Sequence, residues 1–128
     1  MILDSSAVIA ISQGEPEAET FAELLLAEPC KMSVANWVEA AIVVDRRSRT
    51  HQEEFEETLR LGRVELAPVT AEQGRVAREA HRRFGRGSGS PARLNYGDCF
   101  AYALALTTGE PLLFKGTNFT HTDLRSAL

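Results

Sequence analysis

Three carboxylates in this chain stand among apolar residues. Asp4 closes the run Met1-Ile2-Leu3, Glu39 interrupts the stretch from Trp37 to Val44, and Asp98 directly precedes the apolar segment Cys99 to Leu106. An ionised acid in such surroundings is costly unless a charge or a metal compensates it. No Lys or Arg lies within three residues of any of the three, so local ion pairing is closed off and a shared cation is the simplest compensation. Hard oxygen donors arriving from separate segments suit Mg²⁺, with Mn²⁺ as a substitute, because such ions take few carboxylates and keep several waters. One such water can serve as the nucleophile in phosphodiester hydrolysis. Each acid also has a plainer reading: Asp4 as the N-cap of a helix opening at Ser5, Asp98 as the acid of a capping box with Asn95, and Glu39 as an exposed residue of an amphipathic helix.

The elements that would position these groups follow from periodicity. Met1–Leu3, residues 31–34, residues 64–69 and residues 111–114 read as short buried strands. Between them lie helical patterns. Ser5 to Ile11 forms a helical turn, and Glu15-Pro16 opens a helix carrying Phe21, Leu24 and Leu25. Ser33 or Asn36 caps a helix through Val44, and residues 50–61 form an amphipathic helix with Phe55 and Leu59 on its apolar side. Thr70 with Gln73 boxes the start of a helix carrying Val76, Ala80 and Phe84, while Asn95 opens an apolar helix that Gly109 ends. Alternating strands and helices imply βαβ units, hence one α/β domain over residues 1–128 with a central parallel sheet of four or five short strands between helical layers. Sites on such sheets form at the carboxyl ends of the strands, where Asp4 stands. Residues 85–93, rich in Gly and Ser, read as a mobile loop.

The 128 residues carry 14 Lys+Arg against 18 Asp+Glu, a net charge of −4 that argues against a generally basic nucleic-acid coat. Cys30 and Cys99 form no CxxC, and His51, His81 and His121 have no metal-binding spacing. Neither a secretory leader nor a membrane span is expected, and a cytoplasmic location follows as the expectation.

The opening MILDSSA, the Trp37-Val38-Glu39 triplet, and LNYGDCFAYALA followed by PLLFKGTNF together resemble the PIN-domain ribonucleases, and among them the VapC-type toxins of bacterial toxin–antitoxin pairs. The resemblance spans essentially the whole chain. It implies a PIN-like three-layer α/β/α fold and a metal-dependent endoribonuclease with Asp4, Glu39 and Asp98 as its acidic cluster. Ser5 or Ser6 would supply a hydroxyl beside the first acid. It further implies Mg²⁺ as cofactor, a structured RNA such as a tRNA or an rRNA loop as substrate, a VapB-type antitoxin as inhibitor, and a homodimer within a toxin–antitoxin hetero-oligomer. The chain departs from the family pattern at Asn118, where a fourth acid usually stands; an amide orients a water but adds no charge. Asp123, five residues on, is the candidate to compensate by folding back toward the cluster. That departure also sustains a rival reading, an inert PIN-fold module acting mainly in a repressor complex.

Arg75, Arg78, Arg82 and Arg86 recur at helical spacing opposite the Val76-Ala80-Phe84 stripe and continue to Arg93, and Lys115 follows the last strand. Arg82, Arg86, Arg93 and Lys115 are the candidates for phosphate contact with RNA, with Lys115 alternatively neutralising the acids. Ordinary solvated charge is the plainer alternative for all of them.

Overall fold

The chain alternates strand and helix from end to end in the computed structural model, which describes residues 1–128. In chain order the elements are β1 (Ile2–Leu3), α1 (Ser5–Ser12), α2 (Ala18–Ala27), β2 (Lys31–Ser33), α3 (Val34–Asp45), α4 (Arg49–Leu61), β3 (Glu65–Ala67), α5 (Ala71–Phe84), α6 (Tyr96–Thr108) and β4 (Leu112–Leu113), followed by a 3₁₀ turn at Asn118–His121. The four strands form one parallel sheet in the order β3-β2-β1-β4. Ser126 adds a parallel bridge beyond β4 at Leu112, so four strands and one further edge contact make up the sheet.

Strand order dictates where the helices go. From β1 through β2 to β3 the chain steps in one direction, and from β3 to β4 it returns past β1. Right-handed crossovers then put the two sets of connecting helices on opposite faces. The packing follows that rule. One core gathers Met1, Leu3, Met32 and Leu113 with apolar residues of α1 to α4, and the other gathers Ile2, Leu112 and Ala67 with residues of α5 and α6. Neighbouring residues of β1 therefore feed different cores: Ile2 faces one and Leu3 the other, each wholly buried.

Capping chemistry sets the helix starts. Ser33 caps α3 through Ala35 N–H, Ser48 caps α4 through His51 N–H, and Thr70 caps α5 through Gln73 N–H. Asn36, the alternative cap for α3, instead lies inside that helix and is fully buried. Gly109 ends α6 with φ of 70°, the left-handed conformation in which glycine lacks the usual steric penalty. Glu53, Glu54, Glu56 and Glu57 give α4 a solvent-facing acidic side, with Phe55 turned into the core.

Residues 85–93, read from composition as a mobile loop, are tied down at both ends. Arg86 N–H donates to Leu94 O at 3.0 Å and Leu94 N–H to Phe84 O at 2.9 Å, while Ala92 and Leu94 are completely buried. The glycines supply the turns, and two apolar anchors that composition obscured hold the loop down. No helix is long and apolar enough to cross a membrane.

Candidate active site

The order of the strands reverses beside β1, and in such sheets sites form outside the carboxyl ends of the strands flanking the reversal, here β1 and β4. Asp4 follows β1 immediately and is 4% exposed. It caps α1: its Oδ2 accepts from Ser6 N–H at 3.0 Å and from Ser6 Oγ at 2.5 Å. Ser6 Oγ in turn accepts from Lys115 N–H at 3.0 Å, which ties the end of β1 to the segment after β4. The other oxygen of Asp4, Oδ1, is buried without a partner. Burial above all, then the negative charges of Asp98 and Glu39, push this carboxyl up to about 6 against the bonds from Ser6 that favour its charged form.

Glu39 approaches from the second turn of α3. Its Oε1 accepts from Ser5 Oγ at 2.6 Å and, more distantly, from Asn36 Nδ2 at 3.4 Å. Asn36 also donates to Gly97 O at 2.9 Å, linking α3 to the first turn of α6. Asp98 stands in that turn as part of a capping box, with Asp98 N–H donating to Asn95 Oδ1 and Asn95 N–H to Asp98 Oδ2. Burial raises the Asp98 carboxyl above the usual range and Glu39 raises it further, while the Arg86 guanidinium and the approaching Asn118 carboxamide pull the other way.

The functional and the plain readings of Asp4 and Asp98 thus hold together. Each caps a helix through one oxygen, and Glu39 likewise commits Oε1 to Ser5 and Asn36. Oδ1 of Asp4 and Oε2 of Glu39 carry no protein hydrogen bond. Asp4 and Asp98, both raised and both within reach of the Glu39 charge, with an orphaned buried oxygen on Asp4, make a site that attracts positive charge. The donors are all hard oxygens, fitting a divalent ion such as Mg²⁺. No three His, Cys, Asp or Glu side chains stand together as a ready-made cage, so an ion held here would take part of its coordination from water.

Two residues placed near the site by sequence belong elsewhere. Asp123 does not fold back onto the acids: Tyr102 donates to its Oδ1 at 2.7 Å and Arg83 pairs with its Oδ2 at 3.5 Å. It ties the C-terminal segment to α5 and α6. The Lys115 ammonium does not neutralise the cluster either, since it pairs with Glu15 at 2.5 Å and Glu17 at 3.3 Å; only its backbone serves the site. Arg82 lies beside Glu79 at 3.6 Å on the exposed side of α5, and Arg93 occupies a left-handed turn with φ of 50°. Arg86 is the basic side chain whose charge reaches Asp98. Asn118 does stand at the acids, as its place in the sequence indicated. Cys99 is packed against α5, and burial first and Asp98 second push its thiol up to about 11, which makes it inert as a nucleophile.

Sequence reasoning missed Asn36 as a tether and Gly97 altogether. The available signals were an Asn three residues before a half-buried Glu on one helical face, and a glycine in the first turn of an otherwise apolar helix.

Comparison with known proteins agrees with this geometry. The PIN domain family model matches residues 1–124. Ribonuclease VapC42 of Mycobacterium tuberculosis is 48% identical over 130 aligned residues, covering 99% of this chain and 98% of its own. The chain belongs to the PIN-domain family, in its VapC ribonuclease branch. Ribonuclease VapC28 of the same organism is 44% identical, with 100% of this chain and 98% of the relative covered. Among solved structures, M. tuberculosis VapC20, described as a sarcin-ricin loop cleaving toxin, superposes with a TM-score of 0.72 at 18% identity over 96% of this chain and 95% of that one. The VapC toxin fold in VapBC2 of Rickettsia felis, solved with a promoter DNA fragment, gives 0.70 at 15% identity over 98% and 94%. At these identities the structures show the fold alone, and that fold is the PIN architecture.

Proposed function

We propose that this PIN domain is a metal-dependent endoribonuclease toxin held in check by a cognate antitoxin. The observation that carries the reading is the buried and unpartnered Oδ1 of Asp4, with Glu39 and Asp98 near enough to raise that carboxyl and each of the three acids restrained through one oxygen. Asp4 and Asp98 would hold Mg²⁺ or Mn²⁺, with Glu39 completing the set. Such an ion, when bound, supplies an acidified water and positive charge against the phosphoryl oxygens. Glu39, restrained by Ser5 and Asn36, is placed to accept a proton from the attacking water, and Asn118 to orient it. Arg86 brings a guanidinium to the rim of the acids, where it would position an RNA phosphate. Arg82, Arg93 and Lys115 would act further out, as contacts along the RNA backbone. The relatives bear the name ribonuclease and the structural neighbours include toxin–antitoxin complexes, which supports both the activity and a VapB-type partner, with the cytoplasm as the place of action.

Cleavage of labelled total RNA by antitoxin-free protein tests this. Wild type with Mg²⁺ or Mn²⁺ should give discrete cuts that EDTA abolishes. Asp98→Asn, which keeps an oxygen for the capping box, should lose about a hundredfold in rate by removing one charge from the set. Equal cutting by both proteins would overturn the assignment, and no cutting by a folded wild type would favour the inert repressor-complex module.

Val38 and Ile42 on α3 and Tyr96 on α6 are exposed, at 44%, 48% and 80%, beside a groove of about 410 Å³ that Phe100 also lines. An apolar strip of this kind marks a protein contact, and we assign it to the homodimer. Ile42→Arg should convert a dimer to a monomer in light scattering; an unchanged mass would remove this face from consideration.

A further inference from the structure

We propose that Gly97 is a positioning residue whose missing side chain is the berth of the Glu39 carboxylate, with Asn36 as the latch; the functional part of this inference rests on the nuclease reading above. Gly97 is the second residue of α6 and its φ is not in the left-handed region. Its backbone therefore does not call for glycine, and glycine is the poorest helix former after proline. Space is what it provides. A Cβ at this position would lie 1.9 Å from Glu39 Oε2, 2.6 Å from Cδ and 2.9 Å from Oε1, so the carboxylate rests directly on the bare backbone.

The latch is built into the same contact. Asn36 is fully buried, donates to Gly97 O at 2.9 Å and reaches Glu39 Oε1 at 3.4 Å, while its own Oδ1 has no partner. Ser5 Oγ donates to the same Oε1 from the other side. Oε1 is thus restrained by α1 and α3, Oε2 lies over Gly97, and the next residue along α6 is Asp98. The spacing between the Glu39 and Asp98 carboxylates is consequently set where the Glu39 side chain seats on the start of α6, and a Cβ at residue 97 would push the carboxylate out of that seat.

A double-mutant cycle and an ion-binding measurement separate the contact from its use. Gly97→Ala should fold, because the obstructing group is the end of a flexible side chain that can swing away. In Gly97→Ala, Mn²⁺ affinity followed by electron paramagnetic resonance should weaken about tenfold and kcat on RNA should fall about a hundredfold, with KM changed less than about threefold. In the Glu39→Ala background the same change should raise the melting temperature, since the added methyl then meets open space and improves the helix. Glu39→Asp, one methylene shorter, makes room, so Gly97→Ala added to Glu39→Asp should cost no further activity. Unchanged Mn²⁺ affinity and kcat in Gly97→Ala, or identical melting shifts in both Glu39 backgrounds, would overturn the berth. Failure of the nuclease reading would show separately, as wild type without metal-dependent cleavage, and the melting cycle would still decide the contact.

Discussion

Asp4→Asn is expected to abolish cleavage while leaving the metal-free protein as stable as wild type or more so. The carboxyl is buried, and its pKa is raised to about 6 by desolvation first and by its acidic neighbours second. A raised pKa means that the folded state binds the proton more tightly than the unfolded state does. The sign follows: the destabilisation is absent below the unfolded value near 4, grows between about 4 and 6, and is complete above 6, where it amounts to about 3 kcal/mol at most. Asparagine keeps an oxygen for the bonds from Ser6 and removes the charge. Its amide then occupies the place of the unpartnered Oδ1, which returns part of the gain as an unmatched donor. Activity should fall by about three orders of magnitude, since the most buried charge of the set is gone. Melting curves from pH 4 to 8 without divalent ions check the first half: wild type should lose stability relative to Asp4→Asn as pH rises from about 4 to about 6, with the difference level above that. A parallel pH dependence for both proteins, or a variant that melts well below wild type at pH 7.5, would refute this account of the site.

Leu3→Ala should destabilise the fold by about 3 to 4 kcal/mol, the range for emptying a wholly buried leucine position. Leu3 is 0% exposed, is paired with Leu113 in the sheet, and belongs to the core that holds α1 to α4. Against a total stability of about 5–15 kcal/mol for a domain of this kind, that is a large share, carried by a strand of two residues. Urea unfolding of the metal-free protein gives the value directly. A loss under about 1 kcal/mol would mean that the core collapses around the deletion and that β1 is not the element organising both faces.

The strands, the helices and the strand-end position of Asp4 were legible because they rest on local regularities: apolar runs bounded by caps, and a Ser-Ser or Asn placed where a helix must start. The face each helix packs on also followed, once strand order was known. What could not be read was which oxygen of each acid is committed, because that depends on contacts across tens of residues, such as Ser5 to Glu39 and Asn36 to Gly97. Asp123 misled for the same reason. Its distance along the chain suited the cluster, but Tyr102, one turn beyond Asp98, offers a hydroxyl before the acids are reached. Lys115 misled through its side chain and served through its backbone, a distinction that residue type does not encode. The glycine-rich loop showed its turns openly and hid its anchors, Ala92 and Leu94, which are too few to register as a pattern.

The acidic side of α4 and the arginines of α5 lie on opposite faces of the sheet, α4 with four glutamates against two arginines and α5 with four arginines against two glutamates, so charge is unevenly shared between the faces despite the small net charge. A polyanion diffusing toward the molecule is favoured by the arginine face and disfavoured by the glutamate face before any contact. Productive encounters then depend on orientation in the field, and added salt should slow them steeply through the on-rate even where it leaves the rate of the bound complex untouched.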